Sequence, residues 1–192
     1  MLSRAELRAQ LRARRRAHSQ ADQKQASRYI FTWFEKYLSR PLHIACYWPF
    51  DGEVDVRSLA QSSHSKILYL PCLNPYRSGH LYFKAWSAKQ RTHLNHFGIP
   101  EPYRGCPRQA WRMDIILLPL VGFDAMGNRL GMGGGYYDRS LADLVHRPKR
   151  PWLIGVAHDD QEIDTLPAEP WDWPLDAVIT GSRWLRIRTH KF

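Results

Sequence analysis

Asp114-Ile115-Ile116-Leu117-Leu118-Pro119 places four apolar residues in a row between an aspartate and a proline. Successive side chains of a strand point to opposite faces, so an unbroken apolar run puts oily groups on both, and the segment predicts a central strand covered on each side. Working outward, 42–48, 67–72 and 81–86 upstream and 152–157 and 177–180 downstream read as further strands. Helices are expected at 20–37, where Tyr29, Trp33, Phe34 and Tyr37 recur at helical spacing, at 56–62, and at 136–145. Residues 87–112 read as a long irregular connection carrying Phe97-Gly98-Ile99-Pro100-Glu101-Pro102. Strands alternating with helices predict a single α/β domain over 1–192, with a mainly parallel sheet flanked by helices.

Composition agrees. In 192 residues, 44% are hydrophobic and 24% charged, as in a globular protein rather than a disordered one. Cys46, Cys72 and Cys106 are odd in number and lack C-x-x-C spacing, which argues against a disulfide framework or a zinc ribbon and predicts free thiols in a reducing cytoplasm. The apolar run 115–123 is interrupted by Pro119 and is too short to span a bilayer, and residues 1–16 lack the apolar core of a secretory signal, so no membrane association is expected.

The formal net charge is +10, concentrated at 1–20, 147–150 and 183–191. Ser3-Arg4-Ala5-Glu6 fits a capping box, and Leu7 and Leu11, one turn apart, give the following helix a docking stripe. Arg4, Arg8, Arg12 and Arg15 recur at helical spacing, a row of guanidinium groups suited to phosphate or carboxylate oxygens. A nucleic-acid binder is the rival from another class. The cluster lacks adjacent stacking aromatics, however, and no nucleic-acid module is recognisable.

The chemistry-bearing stretch is Asn128-Arg129-Leu130-Gly131-Met132-Gly133-Gly134-Gly135-Tyr136-Tyr137-Asp138, set after a predicted strand and before a predicted helix. Its glycines permit positive φ and let backbone N–H groups approach a ligand, with phosphate the natural guest at the carboxyl end of a parallel strand. It matches neither G-x-x-x-x-G-K-[ST] nor G-x-G-x-x-G. Asp138 either favours the helix dipole or joins a magnesium ion bridging phosphates, with Asp172 and Asp176 as candidates for a second ligand ahead of Asp159, Asp160 and Asp164. His93 and His96 lack the glutamate of a zinc-hydrolase motif. Glu53, in Tyr47-Trp48-Pro49-Phe50-Asp51-Gly52-Glu53, reads equally as a turn carboxylate or as the acceptor for a flat heterocycle stacked on Trp48 or Phe50.

Together these segments resemble the 5-formyltetrahydrofolate cyclo-ligase family, also called 5,10-methenyltetrahydrofolate synthetases. The resemblance is carried by Leu118-Pro119-Leu120-Val121-Gly122-Phe123-Asp124 and by Gly127 through Arg139. It is supported by Leu7-Arg8 with Arg15, Trp48 to Glu53, Gly98-Ile99-Pro100-Glu101-Pro102, Gln161, Leu166-Pro167 and Trp171-Asp172. The resemblance implies a Rossmann-like core similar to sugar-phosphate isomerases and coenzyme A transferases, and ATP-dependent cyclisation of 5-formyltetrahydrofolate with Mg2+. It also implies that Arg4, Arg8, Arg129, Leu130, Gly131, Met132, Gly133, Gly134, Gly135, Tyr136 and Tyr137 bind ATP. Trp48, Glu53, Met132, Gly133, Gly134, Gly135 and Tyr136 would contact the folate, possibly polyglutamylated, and Asp138 and Asp172 the metal. Arg8, Arg129 and Tyr136 are the catalytic candidates, in a monomer. Arg4 stands where many relatives have lysine and Gly134 where some do, which leaves open whether Arg8 or Arg129 serves the transferred phosphate.

Overall fold

The computed structural model describes residues 2–38, 40, 42–62, 66–169 and 171–187. Two helices lead, α1 (Arg4–Ala17) and α2 (Gln20–Tyr37), each opened by a complete capping box, Ser3 with Glu6 and Ser19 with Asp22. The strands then follow as β1 (Leu42–Ala45), β2 (Lys66–Leu73), β3 (Leu81–Trp86), β4 (Thr92–Leu94), β5 (Pro100–Pro102), β6 (Ile115–Pro119), β7 (Gly122–Phe123) and β8 (Arg129–Leu130). The chain continues through α3 (Tyr136–Leu141) to β9 (Trp152–Val156), β10 (Ala177–Ile179) and β11 (Trp184–Arg186). The main sheet has the order β11-β10-β9-β6-β1-β2-β3; β10, β9, β6, β1 and β2 run parallel, and β3 and β11 are antiparallel edges.

β6 lies at the centre of that order, as its apolar run requires. Ile115 and Leu117 pack on one face with Ile30 and Phe34 of α2; Ile116 and Leu118 pack on the other with Leu141, Leu144 and Phe123. Ile115, Ile116, Leu117 and Leu118 are all buried, so trimming one such as Leu117 to alanine costs about 2–5 kcal/mol. A third, smaller cluster joins Leu11 of α1 to Val121, Leu130 and Leu166, with Leu7 alongside, and so seats α1 where the carboxyl ends of the parallel strands emerge. Among the described residues no helix is long and apolar enough to cross a membrane.

Several expectations need correction. The strand expected over 42–48 ends at Ala45, although the Cys46 N–H still bonds to the Tyr69 carbonyl at 2.9 Å. The connection 87–112 is not wholly irregular: Asn95 accepts from the N–H groups of Phe97 and Ile99 through its side chain, closing the β4–β5 hairpin, and β5 tolerates its two prolines because that sheet has only two strands. The segments expected as helix at 56–62 and 142–145 are 3-10 turns, Arg57–Gln61 and Ala142–His146, so α3 itself stops at Leu141. The glycine run also does not leave the parallel strand directly. Asp124 accepts from the N–H groups of Met126, Asn128 and Leu166, folding 122–130 into the antiparallel β7–β8 ribbon before the glycines begin.

Candidate active site at the glycine loop

The glycine run leaves β8 at Leu130 and enters α3 at Tyr136, with α1 lying across it. Arg8 Nε donates to the Gly131 carbonyl at 2.8 Å, and a Cβ on Gly133 would stand 3.5 Å from the Arg8 guanidinium carbon. Gly133 has φ +92°, a conformation that strains any other residue. From the opposite side Arg139 turns back over the loop. Its Nε donates to the Gly79 carbonyl at 2.9 Å, its Nη2 donates to the Gly134 carbonyl, and its guanidinium carbon stands 5.5 Å from the centre of the Tyr136 ring.

Arg4 Nη1 donates to the Pro167 carbonyl and to Asp172 Oδ2, both at 2.7 Å, so the first turn of α1 is tied to the segment before β10. Asp172 also accepts from the Glu169 N–H at 3.0 Å. Asp138 accepts from Arg129 Nη2, and Arg129 is itself buried beneath the loop. Gly133, Gly135, Asp138, Arg139 and Asp172 line one cleft of about 690 Å³.

Beside the cleft, Arg8 is a cation without a matching carboxylate among the described residues. Burial lowers the Arg8 pKa, and the like charges of Arg4 and Arg12 lower it further; among the described residues no carboxylate pairs with Arg8. A guanidinium in that position, still ionised at neutral pH, favours an incoming anion. Among the described residues no group of three or more His, Cys, Asp or Glu is placed to hold a metal alone. Asp138 and Asp172 do fit a hard cation that takes its remaining oxygens from phosphate and water, as Mg2+ does.

Behind the loop, Glu53 lies beside the α1 arginines. Its Oε1 is 3.6 Å from Arg15 Nη1, and its Oε2 accepts from the Phe50 N–H at 3.0 Å. Burial nevertheless outweighs both and pushes its pKa up to about 7. Burial, and next the Glu53 charge, push the Tyr137 phenol above its ordinary value, which sets the two groups near one another. Trp48 is partly covered: the Arg57 guanidinium lies 4.6 Å from its ring centre, and Trp86 meets it edge-on at 6.0 Å. Tyr136 meets Phe97, from the β4–β5 turn, edge-on at 5.7 Å.

The structure thus brings Arg4, Arg8, the glycines, Tyr136, Asp138 and Asp172 to one place, with Glu53 and Tyr137 behind it, whereas Trp48 packs with Arg57 and Trp86 against the core cluster of α2. Asp176, the other candidate metal ligand, is instead buried, where it pairs with Arg150 and accepts from the Leu153 N–H. Two residues beside the loop were missed from the sequence. Arg139 carries a detectable signal, since it lies four residues after Gly135 and so returns to the loop on one helical turn. Phe97 carries none, because only the hairpin brings it to Tyr136.

A model of the 5-formyltetrahydrofolate cyclo-ligase family matches residues 1–181. The 5-formyltetrahydrofolate cyclo-ligase of Escherichia coli K12 is 40% identical over 144 residues, 73% of this chain and 78% of that protein. That of Haemophilus influenzae is 39% identical over 143 residues, 72% and 75% of the two chains. Among solved structures, the 5,10-methenyltetrahydrofolate synthetase of Aquifex aeolicus superimposes with a TM-score of 0.80 at 27% identity, covering 100% of this chain and 96% of its own. The Mycoplasma pneumoniae 5,10-methenyltetrahydrofolate synthetase gives 0.73 at 25% identity, covering 94% and 100%. A match that runs through α1, the glycine loop and the Asp172 segment includes every element that builds the cleft, and the chain belongs to the 5-formyltetrahydrofolate cyclo-ligase family.

Proposed function

We propose that this chain converts 5-formyltetrahydrofolate and ATP to 5,10-methenyltetrahydrofolate, ADP and phosphate, with Mg2+, at the cleft beside the glycine loop. The observation that carries the reading is the placement of Arg8, with no carboxylate partner among the described residues, over a loop whose Gly133 keeps φ +92°. Exposed backbone N–H groups and a guanidinium are what a triphosphate tail needs.

The chemical obstacle is the formamide. Nitrogen 5 donates its lone pair into the formyl carbonyl and makes the carbon a poor electrophile. Transfer of the terminal phosphoryl group to the formyl oxygen releases ADP and leaves an iminium phosphate. Nitrogen 10 then attacks the carbon and loses its proton, and the carbon–oxygen bond breaks to release phosphate as the five-membered ring closes. Such transfer needs alignment and charge neutralisation more than a strong acid or base.

In this assignment Arg8 takes phosphate oxygens, Arg4 holds Asp172 in place, and Arg129 holds Asp138. Mg2+, held by Asp138 and Asp172, would neutralise charge on the phosphates. Arg8 rather than Arg129 serves the transferred group, because Arg129 lies buried against Asp138. Tyr136 faces the pterin, Met132 borders it, and Glu53, with a carboxyl near neutrality, accepts hydrogen bonds from the pterin N–H edge beside Trp48. The protein acts as a monomer in the cytoplasm, in keeping with its three free cysteines, and accepts a polyglutamate tail in solvent. Mixing the purified protein with 5-formyltetrahydrofolate should produce methenyl absorbance only when Mg-ATP is present. No rise under any metal condition refutes the assignment.

A further inference from the structure

Residues 87–112 carry Lys89, Arg91, Arg104, Arg108 and Arg112 against a single acid, Glu101. Glu101 is buried, where it accepts from the Leu73 N–H and from Asn95 Nδ2, and it pairs with none of the five. Past the open end of the β4–β5 ribbon the two arms stay joined. The Tyr103 N–H donates to the Arg91 carbonyl at 3.1 Å, and Gln90 Nε2 donates to the Arg104 carbonyl at 2.8 Å. Gln90, Arg91, Tyr103 and Arg104 line a hollow of about 340 Å³. Tyr103 is 66% exposed, and the ring that meets it, His93, stands edge-on with centres 6.1 Å apart.

The cations continue from that hollow. Residues 103–109 are all exposed, and the Arg108 guanidinium stands over the Tyr69 ring, 5.5 Å from its centre. Arg112 and Arg147 stand 4.1 and 4.5 Å from the centre of one Trp111 ring, so the fold joins this stretch to the basic cluster at 147–150. Among the described residues none of Arg91, Arg104, Arg108, Arg112 and Arg147 pairs with a carboxylate or donates a side-chain hydrogen bond. A guanidinium held by a ring face spends no N–H donor, so its full set remains for oxyanions.

The geometry points to this face as a binding site for single-stranded nucleic acid, with a base stacked on Tyr103, its flanking phosphates on Arg91 and Arg104, and the strand continuing over Arg108, Arg112 and Arg147. An open aromatic ring set among unpaired arginines matches both parts of an unpaired strand, the flat base and the charged backbone. A duplex keeps its bases stacked on one another, and an acidic chain without rings leaves Tyr103 unused. The basic cluster at 1–20 lacks such aromatics, and none of the six residues lines the cleft at the glycine loop.

The test follows the fluorescence anisotropy of short labelled oligouridylate and oligothymidylate across a range of salt. The proteins are the wild-type chain, Tyr103→Ala, Tyr103→Phe, and the double variant Arg91→Ala with Arg104→Ala. All three side chains are exposed, and Arg91 and Arg104 join the arms through their carbonyls, so the variants should fold. Both strands should bind the wild-type chain whether or not Mg-ATP saturates it. Tyr103→Ala should weaken binding about tenfold without changing its salt dependence, and Tyr103→Phe should keep most of the affinity. The double variant should flatten the slope of log affinity against log salt by about 0.7 for each charge removed. Binding by Tyr103→Ala that equals wild type overturns the inference, and so does a duplex of the same length bound as tightly as the single strand. Displacement by poly-γ-glutamate as effective as by unlabelled strand also overturns it, because charge alone then suffices. Displacement by Mg-ATP would move the strand to the glycine cleft, and a wild-type chain that binds neither strand leaves no such site.

Discussion

The two ends of α1 carry the same residue and use it in opposite ways. At its amino end Arg4 and Arg8 reach residues that border the cleft: Arg4 holds Asp172, and Arg8, beside Gly133, touches the Gly131 carbonyl with no carboxylate paired to it among the described residues. At its carboxyl end Arg12, Arg15 and Arg16 converge on Asp51. Arg15, 1% exposed, also donates to the carbonyls of Asp51 and Leu120 at 2.9 Å each. The turn it grips is shaped for it: Asp51 sits at φ +55°, and a Cβ on Gly52 (φ +81°) would come within 2.9 Å of the Arg15 carbonyl oxygen. A guanidinium whose donors are met inside the protein is a fastener; one left electrostatically unsatisfied at a cleft is available to a ligand.

That division is most sharply broken or upheld at Arg8. Arg8→Met should lower kcat/KM for ATP by about 1000-fold, since a charge-assisted contact to a transferring phosphoryl group is removed. Its midpoint of urea unfolding should shift little, because only one hydrogen bond is lost and repulsion with Arg4 and Arg12 is relieved. A large loss of stability with near-normal turnover would place Arg8 with the fasteners.

Asp51→Ala is the mirror experiment. Three guanidiniums lose their shared carboxylate, one of them fully buried, so unfolding should become about 3 kcal/mol easier. KM for ATP of the folded protein should stay near wild type. Asp138→Asn should produce a smaller and different change: an increase of about tenfold in the Mg2+ needed for half-maximal activity, because one anionic oxygen donor is replaced by a neutral one. An unchanged magnesium titration takes Asp138 out of that role and leaves it only as the partner of Arg129.

The stripe of Arg4, Arg8, Arg12 and Arg15 was plain in the sequence, and the split within it was not. Helical spacing places side chains on a face but says nothing of what topology brings to that face. Asp51 meets Arg15 across 36 positions and Arg8 meets Gly131 across 123. The central strand was legible because its signal is local: apolar residues on alternate faces must be covered, and β6 is covered on both. The glycine run was legible for the same reason. The β4–β5 hairpin was hidden by prolines that a two-stranded ribbon tolerates, and β11 by a stretch whose charge drew attention away from Trp184 and Leu185, which pair with β10. Of the four aromatics spaced along 20–37, Phe34 is buried, Tyr29 and Trp33 are partly covered, with Trp33 stacked on Trp184 at 4.0 Å, and Tyr37 is exposed, so the spacing marked a face rather than a uniform core.

Asp51 and Glu53 carry the comparison to a finer scale, as two acids of one turn driven in opposite directions. Burial opposes the charge on Asp51, but hydrogen bonds from Arg12, Arg16 and Arg15 override it and hold the carboxyl at about 2. Its contribution to stability is therefore complete above the ordinary value of 3.8 and is lost as pH falls through about 2. Glu53 rises from 4.5 to about 7, chiefly by burial, so between those values the folded protein holds a proton that the unfolded chain has released. The Glu53 contribution to stability then declines as pH rises across that window, and it recovers nothing above it. Unfolding midpoints in urea at pH 5 and at pH 7.5 should fall further in the wild-type chain than in Glu53→Gln, whose side chain keeps its shape and cannot ionise; His158, held below its ordinary value by burial, works the other way in both proteins, so equal changes are to be read as equal declines. Equal declines in the two proteins would mean that the Glu53 carboxyl reaches solvent and is not held back by burial.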